Sequence, residues 1–279
     1  MEDLIPTLEG MTIGSNLVKI LLIGDIVGSP GRDATKALVP ILKAKHRIDF
    51  VIANCENVAG GAGVTPKTAQ ELLNAGADML TSGQHIWRYR EIGPYMDGES
   101  RLLKPANYPP GTPGFGSYIY QSRSGVHVGV INLLGRVFMG VEALDDPFRK
   151  GTLLVEEIRK KTPVIFVDMH AEATSEKIAM GWYLDGKVSA VVGTHTHIQT
   201  ADERILPKGT AYLTDLGMTG PYDSVIGRQV EPVLEKFLTG MPSRFDVADG
   251  NIMLCGAIVE VDPSTGKAIS IQRVQEKFG

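Results

Sequence analysis

The sequence predicts an α/β fold with much parallel strand pairing, built as one domain from two stacked sheets. Short, continuously apolar runs alternate with segments of helical periodicity, a pattern typical of strands that are covered on both faces. The chain has 279 residues, which is enough for one large domain or two modest ones. No internal repeat or low-complexity tract divides it, so a single domain over residues 17–279 is the simplest organisation.

Apolar runs predict the strands, and apolar residues at helical spacing predict the helices between them. In chain order the first elements are strand Val18–Ile23, helix Gly31–His46, strand Phe50–Ala53, helix Pro66–Ala75 and a strand beginning at Met79 and Leu80. Pro66 suits a first helical turn behind a Thr65 cap. The proline- and glycine-rich stretch Pro105–Phe115 predicts an extended loop.

Beyond this loop the alternation of strands and helices resumes. We expect a hairpin of Ser117–Tyr120 and Val126–Asn132, helix Leu153–Lys160, strand Val164–Val167, helix Glu176–Leu184, strands Ala190–Val192 and Ala211–Leu213, and a hairpin of Ile252–Val261 and Lys267–Val274. The turn of the last hairpin is Asp262–Gly266.

Composition excludes several classes of protein. Apolar residues make up 43% of the chain and charged residues 22%, which excludes long disorder and a disulfide-dense miniprotein. A formal net charge of -4 gives no global basic field, so stable binding of duplex nucleic acid is not expected. The two cysteines, Cys55 and Cys255, have no paired spacing, which favours reduced thiols in a cytoplasmic protein.

The termini and apolar runs give no sign of a membrane protein. Residues 1–16 are acidic and lack the apolar centre of a signal peptide, so they predict a flexible tail. Every apolar run is interrupted well before the length that a membrane helix requires. Membrane association is therefore not expected.

Carboxylate, amide and imidazole side chains gather just past several separate strands. They are Asp25, Glu56, Asn57, Gln84, His85, His170, His195 and His197, and they include four of the six histidines in the chain. Because strand ends in an α/β sheet converge on one edge, side chains that are distant in sequence can meet there. Mixed oxygen and imidazole ligands suit Mn, Fe or Zn better than Ca or Mg.

Three of these residues also have a purely structural interpretation. His195 and His197 are separated by one residue, so an extended backbone would point both to the same side, where they could bind metals or simply form hydrogen bonds at a strand end. Asp25 follows a buried strand, where a carboxylate is costly unless it is paired or metal-bound; a cap or turn residue is the alternative. Glu56 could bridge two cations beside a flexible glycine-rich loop.

Three further residues near these positions are weighed in the same way. Cys55 could be a thiolate nucleophile, but no neighbouring base is evident, and an inert buried thiol fits better. Asp168 lies two residues before His170 on the same strand face and either orients it or caps a loop. Arg32, near the start of the first helix, is a candidate for contact with a phosphate or a solvated arginine.

Six motifs carry a resemblance to a known family over nearly everything from Lys19 onward. They are GDIVGSPGR at 24–32, ENVAGGAG at 56–63, SGQH at 82–85, MHAEATSEK at 169–177, GTHTHIQTAD at 193–202 and TDLGMTGP at 214–221. In their order and content the chain resembles the calcineurin-like metallophosphoesterases, and most closely their bacterial YmdB-like branch. The resemblance implies a four-layer α/β/β/α sandwich of two mixed sheets.

The resemblance also implies a chemistry and a distribution of roles. Two metal ions, Fe or Mn, would be held by Asp25, Glu56, Asn57, Gln84, His170, His195 and His197. Asp25 and His197 would hold one metal with Asn57 nearby, His170 and His195 the other, and Glu56 would bridge. His85 would be the catalytic imidazole beside the leaving group. The implied activity is hydrolysis of phosphodiesters such as 2',3'-cyclic nucleotides, by attack of a metal-bridging hydroxide.

The chain departs from the pattern of this family at two positions of the third motif. The family has asparagine where this chain has Gln84, whose arm is longer by one methylene, about 1.5 Å. The motif usually continues to an aspartate where this chain has Arg88, which bears on how His85 is oriented. As in the YmdB-like branch, Val27 stands where the broader superfamily has a histidine.

These departures keep a second function open. It is a regulatory protein that binds a nucleotide or a metal with weak turnover, because Gln84 replaces the asparagine ligand. A monoester or a 3',5'-cyclic nucleotide is an alternative substrate for the same metals. The resemblance further implies a homo-oligomer, for which Val137, Phe138 and Met139 form either an exposed apolar patch or part of the core.

Overall fold

The computed structural model describes residues 17–279, and the expected flexible tail, residues 1–16, lies outside them. The strands, in chain order, are β1 Val18–Ile23, β2 Asp25–Ile26, β3 Phe50–Asn54, β4 Met79–Thr81, β5 Ser117–Gln121, β6 His127–Leu134, β7 Ile165–His170, β8 Ala190–Thr194, β9 Arg204–Ile205, β10 Ala211–Leu213, β11 Met218–Pro221, β12 Ile252–Val261 and β13 Ala268–Lys277. The helices are α1 Gly28–His46, α2 Pro66–Asn74, α3 Ile92–Gly98, α4 Pro147–Arg159, α5 Thr174–Leu184 and α6 Val230–Thr239, with a 3-10 helix over Gln84–Arg88.

The strands form two mixed sheets. The first has the order β2-β11-β12-β1-β3-β4, with β13 paired to β12, and the second has the order β5-β6-β7-β8-β10-β9. Strands β1, β3 and β4 are parallel, as are β6, β7, β8 and β10. The parallel strands therefore end at a common edge in each sheet.

Side-chain alternation along β1 shows how the layers stack. Ile20 and Leu22 pack with Phe166 of the second sheet, whereas Leu21 and Ile23 belong to the core beneath α1 and α2. A third buried cluster lies between the second sheet and helices α4 and α5. Three apolar interfaces separate four layers, so the predicted α/β/β/α sandwich of two mixed sheets is confirmed. Burial of each such side chain contributes about 1.5–3 kcal/mol.

Most predicted elements are confirmed, with some shifts in their boundaries. Strands β1 and β12 have the predicted bounds, whereas β13 runs from Ala268 to Lys277, three residues beyond the predicted end. Thr65 caps α2 by accepting a hydrogen bond from Thr68 N. Helix α1 begins at Gly28 rather than at Gly31. Helix α4 begins at Pro147, well before the predicted start, because the Asp146 carboxylate accepts hydrogen bonds from two amides of its first turn.

Several elements were not predicted. They are β2, β9, β11, α3, α6 and the 3-10 helix. Strand β11, with sequence MTGP, contains glycine and proline, so it lacks the apolar run by which strands were recognised. Within residues 17–279, no helix is both long enough and apolar enough to cross a bilayer.

Candidate metal centre

The polar residues predicted at the strand ends come together at one edge of the sandwich. Asp25 begins β2, which lies just past the end of β1, and the Glu56–Asn57 pair follows β3. Gln84 and His85 open the 3-10 helix after β4, His170 ends β7, and the two remaining histidines follow β8. A cavity of about 310 Å³ opens there. Its lining includes Glu56, Asn57, His85, Glu172, His195, His197, Ile226 and Arg228.

Glu56 is the centre of this cluster. Its Oε2 lies 2.9 Å from His170 Nε2, and its Oε1 lies 2.8 Å from His85 Nδ1. Ligand atoms of Glu56, His170 and His195 lie within 4.8 Å of one another. Burial opposes ionisation of Glu56, but the adjacent His170 and His85 hold the pKa of its carboxyl well below the usual range.

His170 is fully buried and its ring is fixed by a hydroxyl relay. Burial alone would lower its pKa, but Glu56 and Asp25 outweigh burial and raise the pKa to about 9. Thr194 Oγ1 donates to Asp168 Oδ1 at 2.7 Å and lies 2.8 Å from His170 Nδ1. Since the hydroxyl donates to Asp168, we assign the hydrogen of His170 to Nδ1. Nε2 then faces Glu56, and a cation binding here would displace the extra proton.

Asp168 therefore has the orienting role considered for it, although it acts through Thr194 rather than directly. Its carboxylate is buried and also accepts hydrogen bonds from Asn54 and Thr81. Burial raises its pKa, and these partners together with His170 oppose the rise. The capping alternative for Asp168 does not apply.

The prediction that an extended backbone points His195 and His197 to the same side is wrong. Strand β8 ends at Thr194, and both histidines lie beyond it with positive φ angles of 104° and 66°. A turn, and not an extended strand, brings both imidazoles to the cavity. Burial, reinforced by the charge of His170, lowers the pKa of His195 to about 3, which leaves that ring neutral as a metal ligand must be.

Asn57 connects the remaining rings. Its Nδ2 lies 3.1 Å from His197 Nε2, and its Oδ1 lies 3.0 Å from His85 Nδ1. His197 Nδ1 donates to the Ile226 carbonyl at 2.9 Å, so its Nε2 is the lone-pair nitrogen. His85 Nδ1 has only oxygen acceptors around it and therefore carries a hydrogen. Glu56 and Asn57, rather than Arg88, orient His85.

Asp25 lies beneath the cluster and is fully buried. Its Oδ2 accepts a hydrogen bond from His195 N at 2.9 Å, and its Oδ1 lies 3.8 Å from His170 Nδ1. Burial raises its pKa to about 6, against the opposing effect of His197 and His170. A carboxylate in this position needs a cation to be fully compensated.

Gln84, the main departure from the family pattern, does reach the cluster. Its Nε2 lies 3.4 Å from His195 Nδ1. Its Oε1 is buried and has no hydrogen-bond partner among residues 17–279. The longer arm thus places an unused amide oxygen beside the other candidate ligands.

The residues present fit a metal centre of the implied kind. Two buried acceptor oxygens in this part of the described chain, Asp25 Oδ1 and Gln84 Oε1, lack a hydrogen-bond donor. Buried acceptors without partners are rare and call for an ion or water. Together with the lone-pair nitrogens of the histidines, they form the mixed oxygen and nitrogen set that suits Mn, Fe or Zn.

Two other candidates are placed away from this chemistry. The Arg32 guanidinium pairs with Glu71 at 2.8 Å and donates to the Val58 carbonyl, and Arg32 is not among the residues that line the cavity. Cys55 is fully buried, and burial raises the pKa of its thiol far above the usual range, which fits an inert cysteine.

Sequence reasoning missed three residues that touch or line the site. Thr194 carries the relay to His170, and Glu172 Oε2 lies 3.0 Å from His195 Nε2. Arg228 lines the cavity and donates to the carbonyls of Gly60, Gly61 and Phe245, which fixes the glycine-rich loop against the segment before β12. Glu172 lies two residues after His170, and that spacing was the available signal.

Comparisons with known proteins identify the relatives of this chain. The family model described as YmdB-like protein matches residues 21–274. The chain is 52% identical over 257 residues to a 2',3'-cyclic-nucleotide 2'-phosphodiesterase of Bacillus subtilis (strain 168), covering 92% of this chain and 96% of that protein.

Two solved structures are similar over most of their length. A hypothetical protein from Thermus thermophilus has a TM-score of 0.87 and 40% identity, over 94% of this chain and 100% of that one. A phosphatase from Mycoplasma pneumoniae has a TM-score of 0.88 and 34% identity, over 94% of each chain.

Proposed function

The chain belongs to the YmdB-like protein family, and from that premise we propose that it is a metal-dependent phosphodiesterase that hydrolyses 2',3'-cyclic nucleotides. The observation that carries the proposal is the convergence on Glu56, whose two oxygens approach His170 and His85 while neighbouring acceptors lack donors. The Bacillus relative carries the corresponding activity in its name.

Two metal ions, Fe or Mn, would be held by two groups of residues that share Glu56. Asp25, Asn57 and His197 form one group, and Gln84, His170 and His195 form the other. When bound, such ions activate water and neutralise the charge that develops on a phosphate. Asp168, acting through Thr194, keeps the His170 ring in the orientation that the second group requires.

His85 would act on the leaving group. Its Nδ1–H is held by Glu56 and Asn57, while its Nε2 has no partner within the described chain and the side chain is 42% exposed on the cavity. In its protonated form His85 can deliver a proton from Nε2 to the departing ribose oxygen, a contribution of about 10² to 10⁴-fold. Arg228 also lines the cavity and would supply positive charge toward an anionic substrate.

The experiment begins with metal content per chain, measured by plasma mass spectrometry on protein purified without added metal or chelator. We expect about two equivalents of Fe or Mn, and turnover of 2',3'-cyclic nucleotides ahead of 3',5'-cyclic nucleotides and monoesters. A chain loaded with two equivalents that leaves 2',3'-cyclic nucleotides intact would refute the proposed substrate.

Histidine variants test the division of roles. His85→Ala should retain the metals and lose about 10² to 10⁴-fold in turnover. His127→Ala, which removes an exposed histidine at the start of β6, is the matched control and should change neither quantity. Loss of metal from the His85 variant would show that its imidazole is a ligand instead.

A second candidate function is favoured by Gln84. It is a nucleotide- or metal-binding regulatory protein with weak turnover, in which the longer amide arm compromises the second group of ligands. About one equivalent of metal per chain, together with binding of 2',3'-cyclic nucleotides without their hydrolysis, would support this function over the first. We also propose that the chain forms a homo-oligomer and is located in the cytoplasm. Phe138, whose side chain is 85% exposed, is a candidate contact between subunits.

A further inference from the structure

The loop that carries His195 and His197 has a strained backbone. Both residues have positive φ angles, a conformation that non-glycine residues seldom adopt and that costs about 1–3 kcal/mol per residue. Such conformations persist only where the surrounding structure holds them. Metal ligands must also keep their positions to within about ±0.2 Å, so whatever holds this loop bears directly on the candidate site.

A buried ion pair lies directly against this loop. Lys177, on α5, and Asp215, after β10, are 1% and 0% exposed, and Lys177 Nζ lies 2.8 Å from Asp215 Oδ2. Neither residue is one of the proposed ligands. Two charges so deeply buried gain little net stability as a pair, since well-packed apolar residues often serve as well or better. Their hydrogen bonds indicate a different role.

Both partners of the pair hold the residues that flank His195. Lys177 Nζ donates to the Thr194 carbonyl at 3.4 Å. Asp215 Oδ2 accepts from Thr196 N at 3.1 Å and from Thr196 Oγ1 at 2.7 Å. The backbone is thus fixed immediately before and immediately after His195.

The other oxygen of Asp215 extends the same network to Asp25. Asp215 Oδ1 accepts from Gly217 N at 2.8 Å, and the Gly217 carbonyl accepts from Asp25 N at 3.0 Å. Asp25 Oδ2 in turn accepts from His195 N. The contacts form a closed ring in which one buried carboxylate fixes two proposed ligands.

We infer that Lys177 and Asp215 are positioning residues that set the geometry of His195 and Asp25 for metal binding, an inference that rests on the proposed metal site. Lys177 Nζ places a positive charge 2.8 Å from the Asp215 carboxylate in the interior. The carboxylate accepts four hydrogen bonds at once, from Lys177, from Gly217 and from the amide and hydroxyl of Thr196.

The test compares Asp215→Asn with Asp185→Asn. Asp185 is a matched control because it too is buried, at 5% exposure, and accepts hydrogen bonds from the amides of Lys208 and Thr210, away from the cavity lining. Mn²⁺ affinity is measured by titration with electron paramagnetic resonance of the free ion. The free energy of unfolding of the metal-free protein is measured in urea.

We expect both variants to be less stable, and only Asp215→Asn to lose Mn²⁺ affinity, by about 10 to 100-fold. Lys177→Met should lose affinity in the same direction. Unchanged Mn²⁺ affinity in Asp215→Asn would overturn the inference and leave the metal site in place. A wild-type protein that binds no Mn²⁺ would overturn the metal site itself, so the two failures are distinguishable.

Thr196→Val keeps the experiment decisive if Asp215→Asn does not fold. It removes one hydroxyl donor to Asp215 and retains the ion pair and the backbone hydrogen bond. We expect a smaller loss of Mn²⁺ affinity with little change in unfolding free energy. Equal affinities of Thr196→Val and wild type would again contradict the positioning role.

Discussion

Replacement of Gly83 by alanine tests whether the cluster around Glu56 is the working site. Gly83 lies against Glu56 and His170 just before the 3-10 helix, and a Cβ built on it would overlap Glu56 Oε2 and His170 Nε2. Its φ of -146° lies outside the left-handed region that favours glycine. The effect of Gly83→Ala therefore comes from contact with those two side chains.

The size of the effect follows from how far these side chains must move. To restore an ordinary contact with the new methyl group, Glu56 Oε2 must withdraw by roughly 1.7 Å, several times the tolerance of a metal–ligand distance. A misplacement of about 1 Å can lower a reaction rate by about 10²-fold. Overpacking should lower the free energy of unfolding by about 1–3 kcal/mol.

The assay measures metal content, turnover of 2',3'-cyclic nucleotides and urea unfolding in Gly83→Ala and in the control Gly98→Ala. Gly98 ends helix α3, and a Cβ there would meet no atom within 4 Å. The control should match wild type in all three measurements, while Gly83→Ala should lose metal and activity. If Gly83→Ala keeps full metal content and turnover, the Glu56–His170 pair is not part of the site.

Three further outcomes are expected. Gln84→Asn should leave metal content and turnover unchanged, because the buried amide oxygen of Gln84 already reaches the cluster; a faster variant with more metal would show that Gln84 is a handicap. Glu172→Gln should weaken Mn²⁺ binding by up to about tenfold, since a carboxylate on His195 Nε2 fixes the ring tautomer; an unchanged titration would contradict this. Both cysteines should resist a thiol reagent at pH 8 until the protein is denatured, because burial raises the pKa of Cys55 and of Cys255 and keeps them as thiols; rapid labelling of the native protein would disprove it.

The order of strands and helices was predictable because continuous apolar runs mark the strands. Segments such as β1 are buried on both faces, so their sequences are almost entirely apolar, with Lys19 the one polar residue of β1. Short or irregular elements were not predicted, because they lack such a run or bury few side chains. Helix α6 buries only Val233 among its ten residues, and Pro232 lies in its first turn, where proline is tolerated.

The candidate ligands were predictable because the topology sends strand ends to one edge, whatever the loops do. The residues that hold these ligands in position were not predictable. Lys177 and Asp215 both lie in motifs that were noticed, but nothing in a linear sequence says that side chains 38 residues apart share a buried contact. The expectation for His195 and His197 failed for a related reason, since tertiary contacts overrode the extended backbone that a strand end would favour.

The candidate site is built from loops that hold one another in place by hydrogen bonds. Asp25 receives the amide of His195, Asn57 contacts both His85 and His197, and Ser82 N donates to Asn132 of β6. Each ligand-bearing loop thus takes its conformation from a loop or strand far away in sequence. Because ligand distances tolerate so little change, such cross-links must be as exact in geometry as the ligands themselves, and a substitution in them should disturb metal binding before it unfolds the sandwich.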